Sequence, residues 1–198
     1  MKLHASTTSP YTRKVRVALI ELGLADTVAL VPTVTLEDEG YRVVNPLGKI
    51  PALVLQDGRA IYDSRVITRY LDARAQAGLY PEDRIWDVLT LEATADGILE
   101  AAVLMVYEGR VRPEAFRYGP WVEAQWGKAN SALKAINDGM MDQLSGPLDM
   151  GQIAVGCALG YLDFRHSDRD WRAECPALAE WYAEFETRPG MAATRPEG

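Results

Sequence analysis

Strand-like and helix-like segments alternate over the first 75 residues, and no convincing strand follows them. Residues 1–5 read as a short strand and residues 28–31 as a buried strand, with an amphipathic helix over residues 10–22 between them. Two more apolar runs flank the turn at residues 56–59, whose Asp-Gly pair favours an antiparallel hairpin, and a helix opens at Ser64. This order, βαβ and then ββα, predicts a mixed sheet whose first two strands are parallel.

The pattern changes at residues 76–84, a segment with glycine and proline that we interpret as a linker. From residue 81, near the end of this linker, apolar residues recur at helical spacing to residue 108, and they do so again over residues 121–144. We therefore expect two domains, an α/β domain over residues 1–75 and an all-helical domain over residues 85–198.

Helix signals also mark the last third of the chain. Asp149 and Gln152 have the spacing of a capping box, for a helix that reaches Phe164. Pro176 opens the last clear helix, which the Arg-Pro-Gly sequence at residues 188–190 is expected to end.

Composition excludes several classes of function. A net charge of −7 disfavours sequence-independent binding to nucleic acid, and 48% hydrophobic residues are ordinary for a soluble globular protein. No apolar run approaches the length of about 18 residues that spans a bilayer, and the N-terminus lacks the apolar core of a secretory signal. Two cysteines and two histidines without ligand spacing predict no metal site. Together these features indicate a cytoplasmic protein that does not bind membranes.

Ser9 is the first candidate site residue. Serine followed by proline is typical of the N-cap and first position of a helix, where the hydroxyl stabilises the helix by about 1 kcal/mol. The same hydroxyl can also donate to a thiolate, whose negative charge the helix dipole favours. Thr7 and Thr8 are neighbouring hydroxyls that compete for this role.

Residues 45–51, Asn-Pro-Leu-Gly-Lys-Ile-Pro, form the second candidate segment. A cis bond between Ile50 and Pro51 would turn the Ile50 backbone toward a peptide-like ligand, which could pair with it as one rung of an antiparallel ladder. The alternative is a tight, solvated turn without a ligand. Asp63 and Ser64 form the third segment, because a helix N-terminus with a serine hydroxyl suits a carboxylate. Its alternative is an ordinary cap.

Local charge at these segments is positive although the chain is acidic overall. Arg13, Lys14, Arg16 and Lys49 lie in or beside the first two segments and are expected to cluster around the site. An anionic ligand is therefore compatible with this chain.

Taken together, the run from Ser9 to Leu19 with its Arg-Val-Ala-Leu end, the segment before Pro51 and the Asp63-Ser64 pair resemble the cytosolic glutathione transferases, in their bacterial, serine-type form. The resemblance implies a thioredoxin-like domain followed by a helical domain. It also implies glutathione as cosubstrate, without a metal.

The same resemblance assigns roles to residues. Ser9 would be catalytic, Ile50 would bind glutathione through its backbone, and Lys49 would reach the glycyl carboxylate. Asp63 and Ser64 would hold the γ-glutamyl end.

In the second domain, the resemblance implies a small electrophilic substrate and a homodimer. Tyr107 and Arg110 could face the electrophile, and Asp96 could reach the glutathione of the neighbouring subunit, although a solvated or capped carboxylate is the simpler interpretation. Two alternatives stay open. One is a glutathione-dependent isomerase of the zeta type, whose Ser-Ser-Cys signature is absent, and the other is a non-catalytic binding or regulatory protein.

Overall fold

A computed structural model describes residues 1–35 and 39–196. Residues 36–38, the start of the segment 36–45 that the sequence predicts to be irregular, lie outside the described part. Packing divides the chain into two units. The first comprises residues 1–80 together with the segment from Arg188 onward, and the second comprises residues 81–187. No helix among the described residues is both long and apolar enough to cross a membrane.

The first unit contains a mixed sheet of four strands in the order β2-β1-β3-β4. The strands are β1 (Lys2–Ala5), β2 (Ala29–Pro32), β3 (Ala52–Val54) and β4 (Ala60–Ile61). β1 pairs in parallel with β2, whereas β1 with β3 and β3 with β4 pair antiparallel. The predicted parallel pair and hairpin are thus confirmed. The prediction of a buried second strand is wrong, because β2 is an edge strand whose residues are mostly exposed.

Two helices pack with this sheet in the first unit. Helix α1 (Pro10–Glu21) follows β1, and α2 (Ser64–Ala75) follows β4. Their apolar faces meet the sheet in a core that includes Leu3, Val15, Leu53, Ile67 and Leu71. This core fixes where the first residue of each helix lies relative to the strand ends.

Every strand described in the chain belongs to the first unit; the second unit is helical. Its helices are α3 (Ile85–Arg110), α4 (Gly119–Gly139), α5 (Met150–Arg165), α6 (Trp171–Glu174) and α7 (Pro176–Phe185). The predicted architecture of an α/β part followed by helices is confirmed. One long helix is shorter than predicted, because α4 ends at Gly139 and a separate 3-10 turn covers Met141–Leu144.

Asp149 caps α5, as the capping-box spacing predicts. Its side chain accepts a hydrogen bond from the Gln152 N–H at 3.0 Å and forms an ion pair with Arg84 at 3.3 Å. The other half of the box differs, since the Gln152 side chain donates to the Pro147 carbonyl instead. Burial is the main influence on Asp149 and raises the pKa of its carboxyl, although the Gln152 N–H and Arg84 act in the opposite direction.

The C-terminal segment does not simply end the chain after α7. Pro189 occupies the first turn of another helix, α8 (Pro189–Ala193), which packs against α1 in the first unit. The expectation that the Arg-Pro-Gly sequence only terminates a helix is therefore incomplete, because proline at a first helical position also favours initiation.

Candidate functional site

Strand pairing brings the three candidate segments to one end of the sheet. The end of β1 lies beside the start of β3, since His4 is opposite Ala52, and the end of β4 lies there too, since Ile61 is opposite Leu53. Ser9 follows β1, Ile50 precedes β3, and Ser64 follows β4. Three neighbouring strands span about 10 Å, which matches the length of an extended tripeptide.

Ser9 is the N-cap of α1 in the structure. Its hydroxyl oxygen accepts from the Thr12 N–H at 3.3 Å, and the residue is half-buried. A hydroxyl that accepts in this way still carries a proton that it can donate to a ligand. The neighbouring Thr8 hydroxyl is instead hydrogen-bonded to Ser6 at 3.1 Å, and Thr7 is exposed.

The loop before Pro51 is built around the carbonyl of Lys49. Tyr41 donates its hydroxyl to that carbonyl at 2.9 Å, and the Asn45 side-chain amide donates to it at 2.6 Å. Burial, partly offset by Asn45, raises the pKa of Tyr41 to about 12, so its hydroxyl remains a donor at neutral pH. Gly48 closes the turn with a φ of 61°, which favours glycine. The sequence analysis includes Asn45 in its second candidate segment but assigns it no role. It does not identify Tyr41 at all.

Ile50 follows this organised carbonyl, and its bond to Pro51 is cis, as predicted. No residue in the described part of the chain hydrogen-bonds to the Ile50 backbone. Its N–H and C=O are thus available to an extended, peptide-like ligand. The Lys49 side chain is exposed to solvent.

Asp63 and Ser64 open α2 with different environments. The Asp63 carboxylate caps the helix by accepting from the Arg65 N–H at 3.0 Å, and it is exposed. Ser64 is 3% exposed, and no described residue hydrogen-bonds to its hydroxyl. The interpretation as an ordinary cap therefore fits Asp63. Ser64 instead places a hydroxyl at the N-terminus of α2, where it is available to hydrogen-bond to a carboxylate.

The predicted cluster of basic side chains around the site is wrong for two of its four members. Arg13 is 4% exposed and donates to the Met191 carbonyl at 3.1 Å, and Lys14 is fully buried. Arg16 is half-buried, and burial together with the charge of Arg13 lowers its pKa. The helical spacing places the side chains of Arg13 and Lys14 on the buried side of α1. A count of charges along the sequence does not reveal this.

In the helical unit, Asp96 is 5% exposed, which contradicts a solvated carboxylate and leaves the alternative of a capped one. Tyr107 and Arg110, near the end of α3, are exposed. They stand beside a loop that Glu108 organises.

Glu108 is buried and accepts from the Tyr118 N–H at 2.9 Å and from Arg112 at 2.8 Å. These two bonds lower the pKa of its carboxyl. A cavity of about 270 Å³ lies here, lined by Glu108, Arg112, Phe116, Tyr118 and Trp121.

Comparison with known proteins gives matches to both units. The family model described as glutathione S-transferase, N-terminal domain, matches residues 8–74, and the corresponding C-terminal domain model matches residues 119–184. A relative from Escherichia coli strain K12, described as the uncharacterised GST-like protein YibF, is 32% identical over 99% of this chain and 98% of its own length.

Two solved structures of one glutathione transferase family member from Pseudomonas fluorescens are similar to this chain throughout. One, with bound glutathione, is 43% identical and covers 100% of this chain and 99% of that chain, with a TM-score of 0.96. The other, with bound S-(propanoic acid)-glutathione, is 44% identical and covers all of both chains, with a TM-score of 0.92. On these matches, and on the fold described above, the chain belongs to the glutathione S-transferase family.

Proposed function

We propose that this chain is a glutathione transferase, which activates glutathione as its thiolate for attack on a small electrophile. The observation that carries the proposal is the convergence of Ser9, Ile50 and Ser64 at one end of the sheet. Each offers a group suited to a different part of a tripeptide. The Pseudomonas fluorescens relative with bound glutathione supports the choice of ligand.

In this proposal the glutathione thiol releases its proton to solvent, and the Ser9 hydroxyl donates a hydrogen bond to the resulting thiolate. The positive end of α1 stabilises the same negative charge. Ile50 pairs through its N–H and C=O with the cysteinyl part. Ser64, with the N-terminus of α2, holds the γ-glutamyl carboxylate, and Asp63 contacts the same end. Lys49 attracts the glycyl carboxylate. Glutathione serves as cosubstrate, and the chemistry we propose needs no metal.

The reactivity of the thiolate determines the class of electrophile that we propose. A thiolate adds to an electrophilic or α,β-unsaturated carbon by forming a carbon–sulfur bond, and the carbanion or leaving group then takes a proton. The S-(propanoic acid)-glutathione bound by a relative is a thioether of the kind that such an addition produces. We assign glutathione binding to residues 1–75, a linker to residues 76–84, and the lining of the electrophile site to residues 85–198, where Tyr107 and Arg110 are exposed.

We further propose a cytoplasmic homodimer. Helix α3 supports the dimer, because it leaves large apolar side chains exposed in one chain, with Trp86 at 77%, Tyr107 at 43% and Leu104 at 42%. A reciprocal arrangement would cover such surfaces on both subunits and complete both sites. Sedimentation should give twice the monomer mass at tens of micromolar; a fully active monomer there would contradict the dimer and any role for Asp96 across it.

Calorimetric titration with glutathione at neutral pH tests the function. We expect saturable binding, weakened about tenfold by Ser64→Ala, because the variant loses a hydrogen bond to a charged group. Ser131→Ala, at an exposed position of α4, is the matched control and should bind as the wild type does. Asp63→Asn keeps the helix cap and isolates the charge of Asp63.

Titration without a heat signal at millimolar glutathione would contradict the transferase and the isomerase alike. Binding without turnover of any electrophile or isomerisable substrate would instead favour a non-catalytic role.

A further inference from the structure

Helix α8 is attached to α1 at its N-terminal end. The Glu21 carboxylate, in the last turn of α1, accepts from the Gly190 N–H at 2.9 Å and from Arg188 at 2.8 Å. Contact at this point is close: a Cβ on Gly190 would lie 2.9 Å from a Glu21 oxygen and 3.1 Å from a methyl carbon of Val17. A side chain at position 190 would therefore displace the Glu21 carboxylate and press on Val17, so glycine favours this close approach of the two helices.

The C-terminal end of α8 is attached to α1 as well. Arg13 donates from its guanidinium to the Met191 carbonyl at 3.1 Å and to the Thr194 hydroxyl at 3.4 Å. Thr194 in turn donates its hydroxyl to the Gly190 carbonyl at 2.7 Å. Arg13, Met191 and Thr194 are 4%, 0% and 1% exposed, so these bonds are protected from water.

The charges of the two attachments suit the helix that they hold. A carboxylate lies at the N-terminus of α8 and a guanidinium at its C-terminus, which is the favourable arrangement for a helix dipole. Five residues are too few for a stable isolated helix, so α8 depends on these contacts. In return, α1 is held at two points eight residues apart, a distance of about 12 Å along its axis.

We propose that α8 positions the catalytic hydroxyl by fixing α1, with Arg13 and Glu21 as the positioning residues. This inference rests on the proposed function of Ser9. Ser9 is the N-cap of the clamped helix, and its carbonyl accepts from the Arg13 N–H at 3.0 Å, so the hydroxyl moves with the residue that holds α8. A displacement of about 1 Å in a positioned group can cost about 100-fold in rate.

Three variants test the positioning role. Arg13→Met removes the donors but keeps a long side chain, Arg13→Lys restores a cation, and Gly190→Ala crowds the contact with Glu21 and Val17 without changing a charge. Trp181→Phe is the matched control, because it removes one side-chain bond to a carbonyl, at Leu144 (3.0 Å), in the helical unit. Each protein is assayed for thermal stability, kcat, KM for glutathione, and the pKa of the bound thiol from thiolate absorbance.

We expect Arg13→Met and Gly190→Ala to lower kcat by about tenfold or more. Both variants should also raise the pKa of the bound thiol and change KM little. The kcat and thiol pKa of Arg13→Lys should lie between those of Arg13→Met and those of the wild type. The control should lose thermal stability only. Variants that lose stability but keep the wild-type kcat and thiol pKa would overturn the positioning role.

Failure of the proposed function is recognised separately. In that case wild-type protein neither binds glutathione nor lowers the pKa of its thiol. Hydrogen exchange at the Thr12 and Arg13 amides, measured without ligand, then still reports whether α8 holds the first turns of α1. If Gly190→Ala left the exchange rates of the Thr12 and Arg13 amides unchanged, the inference that α8 fixes α1 would be overturned.

Discussion

Replacing Ser9 with alanine is expected to lower kcat about 100-fold, the cost typical of losing one preorganised donor to a developing anion. The dissociation constant of glutathione should change much less, because in the proposed site Ile50, Ser64 and Lys49 hold the peptide, whereas the Ser9 hydroxyl acts on sulfur. Alanine also removes the cap on the Thr12 N–H, which costs about 1 kcal/mol of stability. Steady-state kinetics below the unfolding temperature separates these two effects.

Thr8→Ala is the control for the Ser9 variant. The Thr8 hydroxyl is bound to Ser6, so its removal should leave kcat close to the wild-type value. If Thr8→Ala were damaging and Ser9→Ala silent, the catalytic hydroxyl would be Thr8.

Asp149→Ala is expected to cause the largest loss of stability, about 2–3 kcal/mol, from a lost cap and a buried N–H of Gln152 without an acceptor. For a chain of this size the loss corresponds to a fall in Tm of about 5–10 °C. The effect is large because α5, which Asp149 caps, is buried almost along its entire length.

Asp149→Asn should retain most of the stability, because asparagine caps as well as aspartate and removes a charge that burial disfavours. Asp168→Ala, at an exposed carboxylate, is the matched control and should lie within about 0.5 kcal/mol of the wild type. Equal thermal unfolding of Asp149→Ala and Asp168→Ala would contradict the structural role of the cap.

Features that depend on neighbouring residues were predictable from the sequence. The Asp57-Gly58 turn, the Ser9-Pro10 helix start and the Asp149 cap each have local chemistry that allows few alternatives, and the hairpin of β3 and β4 follows from the first of them. The catalytic role of Ser9 and the glutathione-binding roles of Lys49, Ile50, Asp63 and Ser64 stay predictions.

Features that depend on distant contacts were not predictable. The edge position of β2 follows from which strands pair, and the burial of Arg13 follows from its bond to Met191, 178 positions along the chain. Neither the edge position of β2 nor the burial of Arg13 is indicated by the residues next to it in the sequence. The role of the C-terminal segment was missed for the same reason.

The pKa of the thiol of bound glutathione tests the central claim most directly. It is obtained by following thiolate absorbance against pH in the wild type and in Ser9→Ala. We predict that the bound thiol titrates at least about one unit below the value of about 8.5 for a free thiol, and that Ser9→Ala reverses most of this shift. A bound thiol that titrates as in free solution, or a lowered pKa that Ser9→Ala leaves unchanged, would contradict activation by Ser9.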